Sequence, residues 1–163
     1  MVFKAKVLGR QELTRRLSAL APNIEKHAAT EKKAAGDELA EAIRLKAPTG
    51  DTLDYMESIQ ADVIADRPAQ ELTGIRATKD PTAVGLFAKF TWRFLEFGTR
   101  PHNVAKGGGT VLGKKQVEGS GAIMHPGSAA KPHIFPTYRA LKPKIRSRIR
   151  NAVNRAIRET RKK

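Results

Sequence analysis

The sequence predicts an α+β fold: an antiparallel sheet packed by a long N-terminal helix and a basic C-terminal helix, with a long Gly-rich loop between strands. Three observations carry this reading. Apolar residues recur at helical intervals near both ends, they alternate at strand spacing in the middle, and eight of the thirteen glycines fall within Gly98–Gly127. The 163 residues suit one domain, and a chain of this length buries a core without a disulfide or metal staple.

From Asn23 to Lys46 the apolar positions Ile24, Ala28, Ala35, Leu39 and Ile43 form one helical stripe. Asn23 suits an N-cap, and Pro22 separates this helix from a shorter one around Gln11–Leu20. Alanine, glutamate and lysine dominate the long helix, with Gly36 as its weak spot. Ala47-Pro48-Thr49-Gly50 stops it, because the residue before proline resists the helical region and glycine favours a turn.

Strand spacing follows. Ile59, Ala61, Val63 and Ala65 alternate through Ser58–Asp66, and Glu71–Thr78 and Thr82–Ala88 are further candidates around the turn signal Lys79-Asp80-Pro81. Phe87, Phe90, Trp92, Phe94 and Phe97 then concentrate five of the nine aromatics. Their spacing 87, 90, 94, 97 fits a short helix, which is the reading preferred over a strand through 90, 92 and 94. The long loop has room for a hairpin with Thr110–Leu112 and Ala122–His125 as arms.

The last helix takes Pro136 in its first turn and carries Tyr138, Leu141, Ile145, Ile149, Ala152, Ala156 and Ile157 as a stripe. Pro143 is expected to delay regular helix until about Lys144. The whole of 1–163 thus reads as a single domain. Its parts are an N-terminal segment with a short helix (1–22), the long helix (23–47), strands and an aromatic core segment (48–97), a long flexible loop (98–130) and the basic helix (131–163).

Composition narrows the chemistry. With no cysteine, disulfides, thiolate metal sites and cysteine nucleophiles are excluded. No stretch is apolar enough to span a membrane, and Met1–Gly9 is too short and charged for a secretory signal, so a soluble protein made in the cytoplasm is expected. The net charge is +15, from 31 Lys and Arg against 16 Asp and Glu. It divides as +4 over 1–46, 0 over 47–130 and +11 over 131–163. Lys142, Lys144, Arg146, Arg148, Arg150, Arg155 and Arg158 therefore form a basic face that suits an acidic partner or a DNA backbone, or is simply the solvated side of a packed helix.

Other chemistries find little support. In Lys106-Gly107-Gly108-Gly109-Thr110 the lysine precedes the glycines, whereas a phosphate loop needs a Lys-Ser/Thr pair after them and a helix to receive the phosphate. His102, His125 and His133 lack the close pairing of a metal site. Glu96 and His102 would make an acid/base couple only if they shared a pocket, and no nucleophile motif accompanies them. The expectation is a protein without catalytic residues, cofactor or metal.

Three motifs, in order, resemble the tail-completion or head–tail joining proteins (neck, minor tail) of long-tailed bacteriophages. Lys46-Ala47-Pro48-Thr49-Gly50, with Leu53 and Ser58-Ile59, is similar to the family's A-P-x-D-T-G-x-L-x-x-S-I. Phe94-Leu95-Glu96-Phe97-Gly98-Thr99 is similar to [FV]-x-E-F-G-T. His125-Pro126-Gly127-Ser128, then Lys131-Pro132-His133-Ile134-Phe135-Pro136 and Ala140, is similar to H-P-G-T followed by x-P-F-[LM]-x-P-A. The chain departs from the pattern in the order Gly50-Asp51-Thr52, in Tyr55 standing where a leucine is expected, and in His133-Ile134 preceding Phe135.

The resemblance implies a virion protein of the neck or tail top, assembled in the host cytoplasm as a hexameric ring that completes the tail and joins it to the head. Its partners would be adjoining neck and tail proteins, with packaged DNA nearby and no membrane. A tail terminator ring is the alternative within the same class, and a basic DNA-binding module is the alternative outside it. In this reading Pro48, Gly50, Ser58, Glu96, Phe97, Gly98, Thr99, His125, Pro126, Gly127, Pro132, Phe135 and Pro136 are structural residues. Glu96 is expected to anchor a turn by hydrogen bonds, and Gly98 to adopt a backbone conformation closed to other residues.

Overall fold

A computed structural model describes residues 11, 14–15, 24–50, 52–68, 72–74, 78–104 and 124–161. The first described element is α1, Ile24–Arg44, which turns Ala28, Ala35, Ala40 and Ile43 inward. Then come α2 (Asp54–Ser58), β1 (Gln60–Val63), a 3₁₀ turn (Ile64–Asp66), β2 (Val84–Phe87) and α3 (Trp92–Phe97). The short β3 (His102–Asn103) and β4 (Met124–His125) precede the long α4, Ile134–Arg161. The class is α+β, but the expected sheet is two separate antiparallel pairs, β1–β2 and β3–β4.

The core lies where α1, α4 and the β1–β2 pair meet. Ala40, Ile43, Ala47, Ile59, Ala61, Ala88, Trp92 and Ile134 form it. So many alanines allow close backbone approach, and Gly36 takes this furthest. A Cβ there would lie 2.7 Å from Val84 Cγ1 and 3.1 Å from Ala61 Cβ. The residue that weakens α1 by helix propensity is the one that lets β2 pack against it.

The ladder pairs Gln60 with Phe87, Ala61 with Leu86, Asp62 with Gly85 and Val63 with Val84. Its surroundings are tied by polar contacts. Arg44 Nε donates to the Ile59 carbonyl at 2.8 Å, and Lys32 Nζ reaches Asp80 Oδ2 at 2.6 Å and Thr82 Oγ1 at 2.8 Å. Asp80 Oδ1 accepts from the Thr82 amide at 2.9 Å, which forms the turn the Asp-Pro signal predicts.

Several expectations are corrected. The strand expected over Ser58–Asp66 is confined to Gln60–Val63, because Ser58 ends α2 and Ile64–Asp66 turn into 3₁₀ geometry. In the Glu71–Thr78 candidate, Leu72 makes a lone bridge to Phe87, and residues 71 and 75–77 lie outside the described set. Of the proposed hairpin, Thr110–Leu112 falls outside the described residues, and Met124–His125 pairs with Asn103 and His102. Helix α4 starts at Ile134 and runs through Pro143. Pro143 is exposed, and its missing amide leaves the Arg139 carbonyl without its partner within the helix. The expected stripe of α4 also shortens, since Tyr138 and Ile157 are exposed. The short helix expected around Gln11–Leu20 lies outside the described residues except at 11, 14 and 15, which are helical.

Candidate functional site

The residues of the second and third motifs interlock at the start of α4. Helix α3 ends at Gly98, whose φ of 72° and ψ of 179° belong to a region essentially reserved for glycine. Gly127 has a φ of 86°. Between them Thr99 and Ser128 form an antiparallel bridge, with Thr99 N donating to Ser128 O at 3.0 Å and Ser128 N to Thr99 O at 3.1 Å. Their hydroxyls meet at 3.0 Å. A Cβ on Gly98 would come within 2.6 Å of Ser128 O, and one on Gly127 would collide with Thr99 O. Each glycine thus clears space for the opposite strand of the crossing.

Glu96 supplies the second tie. Its carboxylate is buried and accepts from three successive amides, His133 at 2.8 Å, Ile134 at 2.9 Å and Phe135 at 3.0 Å. They belong to the residue just before α4 and to its first two residues, amides that have no partner within the helix. A carboxylate there also complements the positive end of the helix dipole. Lys131 N donates to Leu95 O at 2.7 Å, which carries the tie one residue further back.

The first motif joins through Tyr55. Its hydroxyl lies 2.6 Å from His133 Nε2, and His133 Nδ1 lies 2.7 Å from the Lys131 carbonyl and 3.3 Å from Glu96 Oε2. Hydrogen-bond complementarity makes Nδ1 the donor to Lys131 and Nε2 the acceptor from Tyr55. Burial, and then the nearby Glu96 charge, push the Tyr55 phenol well above its ordinary range. Pro48 and Pro132 line a shared open depression with Lys46 and Lys131. Ser58 Oγ donates to the Tyr55 carbonyl at 2.6 Å and accepts from Lys89 N at 3.0 Å. Gly50 is exposed, and a Cβ there would meet Thr52 O at 4.0 Å and, among the described residues, no atom of this junction.

His125 stacks near His102, with ring centroids 5.2 Å apart, and its Nδ1 accepts from Gly127 N at 3.0 Å. Pro126 and Pro136 are exposed beside the junction. Glu96 points into the protein while His102 sits exposed on β3 with Nδ1 against the Arg100 carbonyl. Among the described residues no three potential metal ligands gather, and no helix is long and apolar enough to cross a membrane.

Beside the junction α3 presents an aromatic face. Phe90, Phe94 and Phe97 are 58%, 49% and 64% exposed. Phe90 and Phe94 meet edge-to-face at 6.3 Å, and Phe97 leans on Phe135 at 5.8 Å. Three half-exposed phenylalanines on and beside one short helix exceed the scatter of single apolar residues normal on a surface.

The seven cations of the basic face separate into groups. Arg148 reaches Glu38 at 2.6 Å and Glu31 at 3.1 Å, and Lys144 pairs with Glu38, so these two stitch α4 to α1. The Lys144 and Arg148 cations hold the Glu38 carboxyl below its ordinary range. Lys142 lies 5.7 Å from the centre of the Tyr138 ring. Arg155 lines a cleft with Lys26, His27 and Glu31 at the α1–α4 seam. Arg146, Arg150 and Arg158 are exposed. Sequence reasoning missed Glu31 and Glu38 as partners, although their spacing of seven puts them on one face of α1. It also missed the pairing of half-buried Tyr55 with buried His133.

Neither a comparison with curated proteins nor one with solved structures finds a match. The model of the HK97-gp10-like family, described as a tail component of bacteriophage HK97, matches residues 11–98, more than half of the chain and inclusive of the first two motifs up to Gly98. The chain belongs to the HK97-gp10-like family of bacteriophage tail components, and its place is in the virion among other structural proteins of the phage.

Proposed function

We propose that this tail component forms a ring at the tail top or neck, completing the tail and joining it to the head without catalysis. The observation that supports this reading best is the aromatic face Phe90–Phe94–Phe97, set beside the junction of the three motifs. Aromatic residues are enriched where proteins bury surface against partners, and a ring repeats one such contact around its axis. The junction fixes α3 relative to α4 through Glu96 and Thr99–Ser128, so the face is presented in one orientation. A rigid, pre-oriented patch loses little entropy on docking.

The reading is tested in two steps. Native mass spectrometry of the purified chain should show a closed oligomer, with a hexamer expected, and Phe94→Glu should leave folded monomers. A wild-type chain that stays monomeric both alone and in assembled particles defeats the proposal. Phage lacking the protein should then make tails of normal length that do not join heads. Overlong tails would instead assign it to tail termination.

A further inference from the structure

We infer that the outer face of α4 between Ser147 and Arg158 binds the phosphate backbone of duplex DNA. Arg150, Asn154 and Arg158 stand four residues apart and share one side of the helix, with Ser147 and Asn151 alongside. All five are exposed. Asn151, Asn154, Arg155 and Arg158 border a shallow depression of about 230 Å³. This side is turned away from Ala152 and Ala156, which are buried.

The face differs from the side of α4 that meets α1 in what it lacks. Among the described residues no carboxylate pairs with Arg150, Asn154 or Arg158, whereas Lys144 and Arg148 are engaged by Glu38 and Glu31. The single acid of α4, Glu159, turns to His27 at 3.5 Å. Arg150 and Arg158 are therefore neither helix-to-helix ties nor half of a balanced surface network.

Side-chain chemistry favours phosphate over a protein partner. Arginine, serine and asparagine are donors that commonly meet phosphate oxygens. A protein interface is built around an apolar centre, and none of these five side chains supplies one. Eight residues of helix rise span about 12 Å, which places Arg150 and Arg158 as far apart as the walls of a major groove about 12 Å wide. No base-reading role is implied. Contacts of this kind position a protein on DNA without selecting sequence. The inference stands whether or not the chain forms a ring.

The test uses the full-length chain and a random-sequence duplex of about 30 base pairs, long enough for several phosphate contacts. Fluorescence anisotropy is followed from about 50 to 200 mM salt. The wild-type protein should bind, with log affinity falling linearly against log salt. Replacing both Arg150→Gln and Arg158→Gln should flatten that slope by about 1.8, at about 0.9 for each phosphate no longer neutralised. Removing the same charge at two exposed lysines elsewhere, Lys46→Gln with Lys79→Gln, should leave the slope unchanged. Absence of binding at the lowest salt overturns the inference, as does an equal slope change in the lysine control. If polyglutamate competes as well as DNA of equal charge, an acidic protein is the partner and the duplex assignment falls. Oligomer mass, read on the same samples, separates failure of this inference from failure of the ring.

Discussion

The carboxylate of Glu96 lies 2.9 Å from the amide nitrogen of Ile134, the first residue of α4. One side chain on a six-residue helix thus organises the entry into the longest helix of the protein. Its replacement should be costly. Glu96→Ala leaves three amides at the start of α4 without their acceptor, and we expect a loss of about 3 kcal/mol of stability. Glu96→Gln retains one acceptor oxygen and should lose less. Urea denaturation of the three proteins checks the order.

Gly98 and Gly127 should behave as a pair. Each has a positive φ, and each would drive a Cβ into the opposite strand of the Thr99–Ser128 bridge. Gly98→Ala or Gly127→Ala alone should destabilise by about 2 kcal/mol or more, since backbone strain and steric displacement act together. The double variant should fall short of the sum, because the first substitution already opens the crossing. A double-mutant cycle by thermal unfolding measures the difference.

Tyr55 gives stability a dependence on alkaline pH. The folded protein holds the phenol proton more tightly than the unfolded chain, whose phenol titrates near 10.0. The contribution is complete below that value and declines as pH rises toward the higher folded value. Urea midpoints measured from about pH 9 to 11 should fall more steeply for wild type than for Tyr55→Phe. At neutral pH the same variant should be less stable by about 1 kcal/mol, from loss of the bond to His133.

Thr137 should be improvable. Its hydroxyl is buried, and among the described residues it has no hydrogen-bond partner. Thr137→Val keeps the β-branched shape and removes the cost of an orphaned polar atom, so stability should rise by about 1 kcal/mol. Differential scanning calorimetry would register this as a higher melting temperature. A lower one would reveal a bond that the hydroxyl makes in solution.

The long helices were legible because each has one wet and one dry face, and the period of that contrast is written directly into the residue order. Ala28, Ala35 and Ile43 follow from it without reference to the rest of the chain. The sheet was less legible. Ile59 and Ala61 show strand alternation, but whether it continues past Val63 depends on the 3₁₀ turn and on how Leu72 and Ile64 close over Gly85. Gly36 carried a local signal, weakness in a helix, whose cause was the distant Val84. In the junction, Glu96 was readable as a hydrogen-bond acceptor, while its partners at His133–Phe135 lie nearly forty positions away. Tyr55 and His133 each looked ordinary in isolation. Their pairing is a product of tertiary packing, which periodicity does not encode.

The Thr99–Ser128 bridge and the β3–β4 pair close the base of everything the chain carries between Asn103 and Met124. This clasp joins positions 29 residues apart in the chain. It holds α3 in register against the approach to α4 through paired main-chain hydrogen bonds, which do not depend on side-chain identity. The register of the clasp therefore tolerates substitution at Thr99 and Ser128, which meet through their backbones, better than at the two glycines beside them.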